Sequence, residues 1–239
     1  MKSTFISIIV PGYNEERRIQ NTLIKLHAFC LTRFSCFEIL FVDDGSIDKT
    51  RQVVKKLSYH RTNIRYLGYP KNKGKGFAIR FGLKYAKGTY IFFTDADLPY
   101  DPQFFCYAVN VFQKTACEIV SGNRHLKQSC NIAGASRKRQ MASQVFSYII
   151  KYWFGITTTD TQCGIKGFSK ACAQQIIQKS RINGYAFDVE IFLLARQHHW
   201  QVETLPVILI NDLLSKIRLR LDPIFMILDL LRIYRVAWD

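Results

Sequence analysis

Short apolar runs and helically spaced apolar positions alternate along the first hundred residues. The run 5–10 is β-branched and aromatic and stops at Pro11-Gly12; past Tyr13-Asn14-Glu15-Glu16, residues Ile19, Leu23 and Leu26 recur on one helix face. The unit then repeats. Residues 37–42 predict a second strand closing on Asp43-Asp44-Gly45-Ser46, and Asp48, Lys49 and Thr50 open a helix carrying Val53, Val54 and Leu57. Residues 63–67 predict a third strand, and Asn72-Lys73-Gly74-Lys75-Gly76 leads into a helix with Ile79, Leu83 and Ala86. A fourth strand, within 88–99, ends abruptly in Asp95-Ala96-Asp97. Strands alternating with helices of this length pair in parallel through right-handed crossovers, giving a doubly wound α/β nucleotide-binding fold whose ligands sit at the carboxyl ends of the strands.

Beyond Pro99 the pattern loosens. A helix is expected over 102–114, a strand over 118–122 entering Asn123-Arg124-His125, and a long helix from Ser136. The later part of that helix, 145–154, is apolar and aromatic nearly all round, so it is either deeply buried or membrane-facing. Residues 159–168 read as a loop returning to a strand, Phe187-Asp188-Val189-Glu190 opens a helix, and 202–210 reads as a final strand. A catalytic domain is thus expected over 1–214. The remaining segment, 215–239, mixes Lys216, Arg218, Arg220, Arg232 and Arg235 with many aliphatic residues, a basic amphipathic tail suited to a membrane surface.

Composition narrows the partners. The chain of 239 residues is 48% hydrophobic, enough for a substantial core, and 34 Lys and Arg against 18 Asp and Glu give a net charge of +16. That imbalance suits phosphate-rich partners: nucleic acid, anionic lipid or phosphorylated substrates. Seven cysteines without a Cys-x-x-Cys pair argue against a disulfide framework and a structural zinc site, and fit a reducing, cytosol-facing compartment. The first apolar run is too brief for a signal peptide, and no stretch is long and apolar enough to span a bilayer, so membrane contact is expected to be peripheral.

The candidate chemistry gathers at the strand ends. Asp95 and Asp97 are placed to hold a divalent cation against phosphate oxygens, although acidic residues after a strand also serve as turn residues. Asp43 and Asp44 would accept hydrogen bonds from a base or ribose, and Ser46 and Asp48, good helix caps in their own right, are expected to do both jobs. The loop 73–76 reads as an anion cradle, but it lacks the P-loop spacing, which disfavours ATP hydrolysis. Arg124 and the cluster Arg137-Lys138-Arg139 would bind phosphate, a solvated basic helix face being the alternative for the latter.

Taken together, Val-Pro-Gly-Tyr-Asn-Glu-Glu (10–16), Val-Asp-Asp-Gly-Ser-x-Asp-x-Thr (42–50), Asn-x-Gly-Lys-Gly (72–76) and Asp-Ala-Asp (95–97) resemble the inverting, nucleotide-sugar-dependent glycosyltransferases of family two. Gly-Asn-Arg (122–124), Asp-Thr-Gln-Cys-Gly-Ile-Lys (160–166), Phe-Asp-Val-Glu (187–190) and Ser-Lys (215–216) narrow the resemblance to the branch acting on dolichyl or related polyprenyl phosphates, its glucosyl-transferring members fitting best. Leu213 and Leu214 stand where that branch commonly has Gly, so the loop before Lys216 is expected to turn differently.

The resemblance implies a GT-A type, Rossmann-like, mostly parallel sheet and a Mg²⁺ or Mn²⁺ cofactor held by Asp97, with Asp95 in its shell and near the ribose. It implies a donor side of Pro11 and Tyr13 flanking the base, Asp44 reading it, and Glu15, Asp43 and Lys75 beside it. It implies an acceptor or phosphate side of Arg137, Arg139, Gln162 and Lys216, and catalysis by Asp97, Arg124 and Asp188, the last as an auxiliary base or merely a helix cap. The expected reaction is hexose transfer, with glucose from UDP-glucose favoured, to a polyprenyl phosphate at an anionic membrane surface, with nucleic acid not a partner. Mannosyl transfer from GDP-mannose and transfer to a saccharide are the alternatives within the family. A non-catalytic basic binding protein is the alternative outside it, and it leaves the acids at three strand tips unexplained.

Overall fold

The computed structural model describes residues 4–131, 150, 152, 154–156, 158 and 160–210. Arg137, Arg139, Lys216, the tail 215–239 and most of the 145–154 stretch lie outside them. Within that stretch, Ile150 and Phe154 are buried in the core and Tyr152 is exposed.

The alternating pattern produces the expected units: β1 (Phe5–Gly12), α1 (Ile19–Arg33), β2 (Cys36–Asp43), α2 (Thr50–His60), β3 (Ile64–Gly68), α3 (Lys75–Tyr85), β4 (Tyr90–Thr94), α4 (Gln103–Lys114) and β5 (Ile119–Asn123). There follow β6 (Cys130–Asn131), β7 (Ile165–Ser169), α5 (Lys170–Lys179), α6 (Phe187–Gln197), β8 (Val202–Pro206) and β9 (Ile208–Leu209). Seven strands form one sheet in the order β3-β2-β1-β4-β7-β5-β8. β1 to β4 pair in parallel, as do β5 and β8, whereas β7 runs antiparallel between β4 and β5.

Side-chain alternation along β1 explains the layering. Ile6, Ile8 and Val10 join one core with α1, α2 and α4 residues such as Leu23, Val54 and Phe105. Ile9 points the other way, into a second core with Ile79 of α3, Ile176 of α5 and Ile191 of α6. Burying both faces requires strands that are apolar on both sides, which is why the runs look continuous.

Three features depart from the expected pattern. β7 lies antiparallel between β4 and β5, which interrupts the parallel pairing that the repeated strand-helix units set up. Helix α5 was not expected, although Ser169 caps it by accepting a hydrogen bond from Cys172 N at 3.2 Å. The expected single strand over 202–210 breaks after Pro206, which has no N–H to donate; Val207 N turns to Ser129 Oγ at 3.1 Å, and β9 pairs with β6 in a separate two-stranded sheet. All seven cysteines are free thiols, and Cys30, Cys117, Cys163 and Cys172 are buried.

Candidate active site

The register of the sheet aligns the strand ends that carry the acids. Gly12 lies opposite Asp43, and Asp43 opposite Gly68, so the loops after β1, β2 and β3 emerge side by side. The first two are stitched reciprocally. Asn14 N, Glu15 N and Glu16 N donate to Ser46 Oγ (2.9 Å), Thr50 Oγ1 (2.7 Å) and Asp48 Oδ2 (3.2 Å), while Ile47 N and Lys49 N donate back to Asn14 Oδ1 and Glu16 Oε2, both at 2.9 Å. Asp48 also accepts from Thr50 N at 2.9 Å, so it serves the first turn of α2 and the neighbouring loop together. Pro11 is buried within this frame, and Tyr13, 37% exposed, stands at its lip.

Asp43 and Asp44 are engaged by the scaffold. Asp43 accepts from Ser46 N (2.9 Å) and from the Tyr66 hydroxyl (2.7 Å). Asp44 accepts from the Tyr69 hydroxyl (2.8 Å), Lys73 N (2.7 Å) and Gly74 N (3.0 Å). Burial pushes the Asp44 carboxyl above its usual range, opposed by those three donors. Gly45, at φ 71°, admits the close approach of this loop: a Cβ there would lie 2.5 Å from the Lys71 carbonyl carbon.

The same contacts correct the anion-cradle reading of 73–76. Lys73 and Gly74 donate their amides to Asp44, and Gly76 N and Phe77 N donate to Asn183 O at 2.7 and 3.2 Å. These amides at the start of α3 are consumed by the protein, so phosphate has no ready nest among them. Glu190 fixes the segment supplying Asn183 by accepting from Ser180 Oγ (2.6 Å), Arg181 N (2.6 Å) and Ile182 N (3.1 Å). What Lys75 offers the site is its side chain.

That side chain joins the acidic pair. Lys75 Nζ lies 2.8 Å from Asp95 Oδ1 and 3.6 Å from Asp188 Oδ2. Asp188 is gripped from its other side by Lys166, a fully buried lysine whose Nζ is 2.5 Å from Asp188 Oδ1 and 2.7 Å from Cys163 O. Asp188 makes no side-chain cap to α6, so its place in the first helical turn serves this ion network instead. Asp97, two residues after Asp95, is approached by Arg18 at 3.9 Å, and Glu15 holds the Arg18 guanidinium through two hydrogen bonds, to Nε and, at 2.9 Å, to Nη2. Thr22 of α1 donates to Ala96 O at 2.8 Å and fixes the loop between the two acids. Burial, and then the charge of Asp95, push the Asp97 carboxyl up to about 6, with Arg18 opposing.

These residues fit a divalent cation. Asp97 is a half-buried carboxylate beside a like charge, the electrostatic condition that a cation relieves. No group of three or more His, Cys, Asp or Glu among the described residues is arranged to hold a metal. Mg²⁺ and Mn²⁺ sites in phosphate-transferring proteins need only one or two carboxylates, with diphosphate oxygens and water completing the shell.

Arg124, leaving β5, is bound to Asp160 through N (2.9 Å), Nε (2.8 Å) and Nη2 (2.7 Å). Burial would raise the Asp160 carboxyl, but the hydrogen bonds and charge of Arg124 outweigh it and hold the group below its usual range. The loop from Asp160 to Gly164 links this pair to the acidic centre: a Cβ on Gly164 would lie 2.0 Å from Asp95 Oδ2, and one on Gly122 would meet Cys163 Sγ at 2.7 Å. Gln162 sits half-buried in that loop.

The sheet thus brings Glu15, Lys75, Asp95, Asp97 and Asp188 into one contact network, with Arg124 attached through the 160–164 loop. Two residues of the network, Arg18 and Lys166, had no role in the sequence reading. Lys166 had a visible signal, a lysine inside the otherwise apolar β7, and Arg18 stands three residues after Glu15, ion-pair spacing on a helical turn. A separate concavity of about 520 Å³, lined in part by Tyr90, Phe112, Cys117 and Trp200, opens at the amino-terminal end of β4, away from the acidic pair.

A doubly wound sheet with an acidic pair beyond a central strand, ringed by cations, defines a glycosyltransferase of the GT-A class. The chain belongs to glycosyl transferase family 2, whose sequence profile matches residues 7–177. It is 30% identical, over 98% of its length and 75% of the relative's, to dolichyl-phosphate beta-glucosyltransferase of Saccharomyces cerevisiae. It is 33% identical to the protein of that name from Dictyostelium discoideum, over 81% of this chain and 62% of the relative. Among solved structures, glucosyl-3-phosphoglycerate synthase of Mycobacterium tuberculosis, in complex with UDP, superposes with a TM-score of 0.71 at 16% identity, covering 98% of this chain and 80% of that one. The same enzyme with Mn²⁺, UDP and glucosyl-3-phosphoglycerate gives the same score. At that identity the likeness is one of fold.

Proposed function

We propose that this protein transfers glucose from UDP-glucose to dolichyl or a related polyprenyl phosphate, with inversion at the anomeric carbon. The observation that carries the reading is the network Lys75-Asp95-Asp97-Arg18 at the carboxyl ends of the sheet, in a chain whose relatives bear the name of that activity. Asp95 and Asp97 would hold Mg²⁺ or Mn²⁺, which supplies charge stabilisation to a leaving nucleoside diphosphate. Pro11 and Tyr13 form the wall proposed for the base. Asp44 supports this side by fixing the loop that delivers Lys75, and Arg124, oriented by Asp160, meets phosphate.

The acceptor's chemistry decides what the protein must do with protons. A phosphate monoester has its second pKa near ~6 and arrives as a dianion at neutral pH, so no residue has to deprotonate it. Asp188 fits that demand. Held between Lys166 and Lys75, it acts as a positioning residue for Lys75 and not as a base. Catalysis then rests on orientation and on charge, with Arg18 and Arg124 as the cations offered to the developing negative charge and Lys75 acting through Asp95. Arg137, Arg139, Gln162 and Lys216 remain the acceptor-side candidates.

No helix among the described residues is long and apolar enough to cross a membrane. The net charge of +16 and the basic tail at 215–239 support contact with an anionic, cytosol-facing lipid surface, where a lipid-borne acceptor would be met. The nucleotide assignment is tested by thermal unfolding. UDP with Mn²⁺ is expected to raise the midpoint by several degrees, as ligand at ~100 times its Kd contributes ~2.7 kcal/mol. A larger shift with GDP, or none with either nucleotide, contradicts it.

A further inference from the structure

Each carboxylate of the acidic pair already faces a cation supplied by the fold. Lys75, the first residue of α3, is 2.8 Å from Asp95 Oδ1, and Arg18, at the start of α1, is 3.9 Å from Asp97 Oδ2. The two approaches differ in kind. Arg18 is tied down by Glu15 and stands at long range from its acid. Lys75 makes a charge-assisted hydrogen bond to Asp95 and has a second carboxylate, Asp188, within 3.6 Å.

Asp95 Oδ2 lies on the Gly164 side, in the space a Cβ there would take, and Oδ1 is the oxygen that Lys75 occupies. A divalent cation drawing on Asp95 therefore competes with the Lys75 ammonium for the same carboxylate. Lys75 has somewhere to go, because Asp188 already lies within ion-pair range and is anchored by the buried Lys166.

We propose that Lys75 is a displaceable counter-cation: it occupies Asp95 in the metal-free protein, competes with the divalent cation for that carboxylate, and transfers its contact to Asp188 when metal and donor diphosphate arrive together. The proposal rests on the assignment of Asp95 and Asp97 to the metal. Its consequence is coupling. Metal alone must displace Lys75 from Asp95 with only protein groups and water to complete its shell, whereas metal with a nucleoside diphosphate brings phosphate oxygens that complete the shell and offset its charge. The site therefore takes up metal chiefly as the nucleotide complex. Lys75 acts in this as a positioning residue, through Asp95.

Mn²⁺ binding to the whole chain, followed by the electron paramagnetic resonance signal of free Mn²⁺ with and without UDP, tests this independently of turnover. The wild-type protein is expected to bind Mn²⁺ weakly alone and tightly with UDP. Lys75→Met is expected to tighten binding of Mn²⁺ alone by about tenfold, the factor supplied by removing one competing charge-assisted hydrogen bond, and to narrow the gap between the two conditions. Lys75→Arg, which keeps the cation, is expected to retain the wild-type pattern. Should folded Lys75→Met bind Mn²⁺ alone no more tightly than wild type while UDP-dependent binding persists in the wild type, the proposal is overturned and the metal assignment stands. Wild-type protein that binds no Mn²⁺ even with UDP overturns the metal assignment, and the proposal with it.

Discussion

Asp97→Ala is expected to lower glucosyl transfer by about a thousandfold or more and to leave the fold intact. The loss follows from removing a proposed metal ligand, and with it the stabilisation of charge on the leaving diphosphate. The stability result is the less obvious part. The Asp97 carboxyl is raised to about 6 by burial and by Asp95, so its ionised form is disfavoured in the folded, metal-free protein. A raised acid binds its proton more tightly in the native state than in the unfolded chain. Its contribution to stability is therefore favourable at low pH and is lost as pH rises from about 4 through about 6. Metal-free Asp97→Ala should accordingly be as stable as wild type near pH 4 and more stable at pH 7. The gain is on the order of 1–2 kcal/mol once the partial exposure of the side chain is allowed for. Activity within tenfold of wild type would remove Asp97 from the metal site, and a variant that loses stability at pH 7 would contradict the electrostatic account.

Lys166→Met carries the largest expected cost to the fold. The Lys166 ammonium is fully buried, with Asp188 at 2.5 Å and Cys163 O at 2.7 Å. Methionine fills much of the volume, but among the described residues it leaves the buried Asp188 only the more distant Lys75 as counter-charge. Removing one partner of a buried ion pair costs about 3–5 kcal/mol, because the remaining charge stays desolvated, and Lys75 places the expectation at about 3 kcal/mol. Adding Asp188→Leu removes the stranded charge, so the double variant should recover most of the loss in urea unfolding. A single variant within about 1 kcal/mol of wild type would mean that the pair does not organise this side of the site.

The sheet and its acidic tips were legible because they depend on local patterns. Apolar runs that end in Asp43-Asp44 and Asp95-Ala-Asp97 place carboxylates at strand ends whatever their neighbours do. What escaped was what long-range pairing decides. The position of β7 between β4 and β5 is decided by pairing with two strands distant in sequence and not by any local period. Lys166 and Asp188 meet across 22 residues of sequence, so neither announces its partner. The loop 73–76 looked like an anion cradle because its glycines leave amides accessible, and only the fold brings the Asn183 carbonyl and the Asp44 carboxylate to occupy them. Ser46 and Asp48 read as helix caps by type, whereas in the fold Ser46 serves the neighbouring loop and Asp48 serves loop and helix together, because the β1 and β2 ends lie in register.

The proposed role of Lys75, Asp95, Asp97 and Arg18 is glucosyl transfer from a uridine nucleotide to a lipid phosphate. The measurement that meets this claim most directly is incorporation of radiolabelled sugar into organic-extractable lipid, with dolichyl phosphate, Mn²⁺ and either UDP-glucose or GDP-mannose. Label entering the lipid from UDP-glucose and not from GDP-mannose is the predicted result. Label from GDP-mannose alone, or from neither donor by a folded, UDP-binding protein, would contradict it.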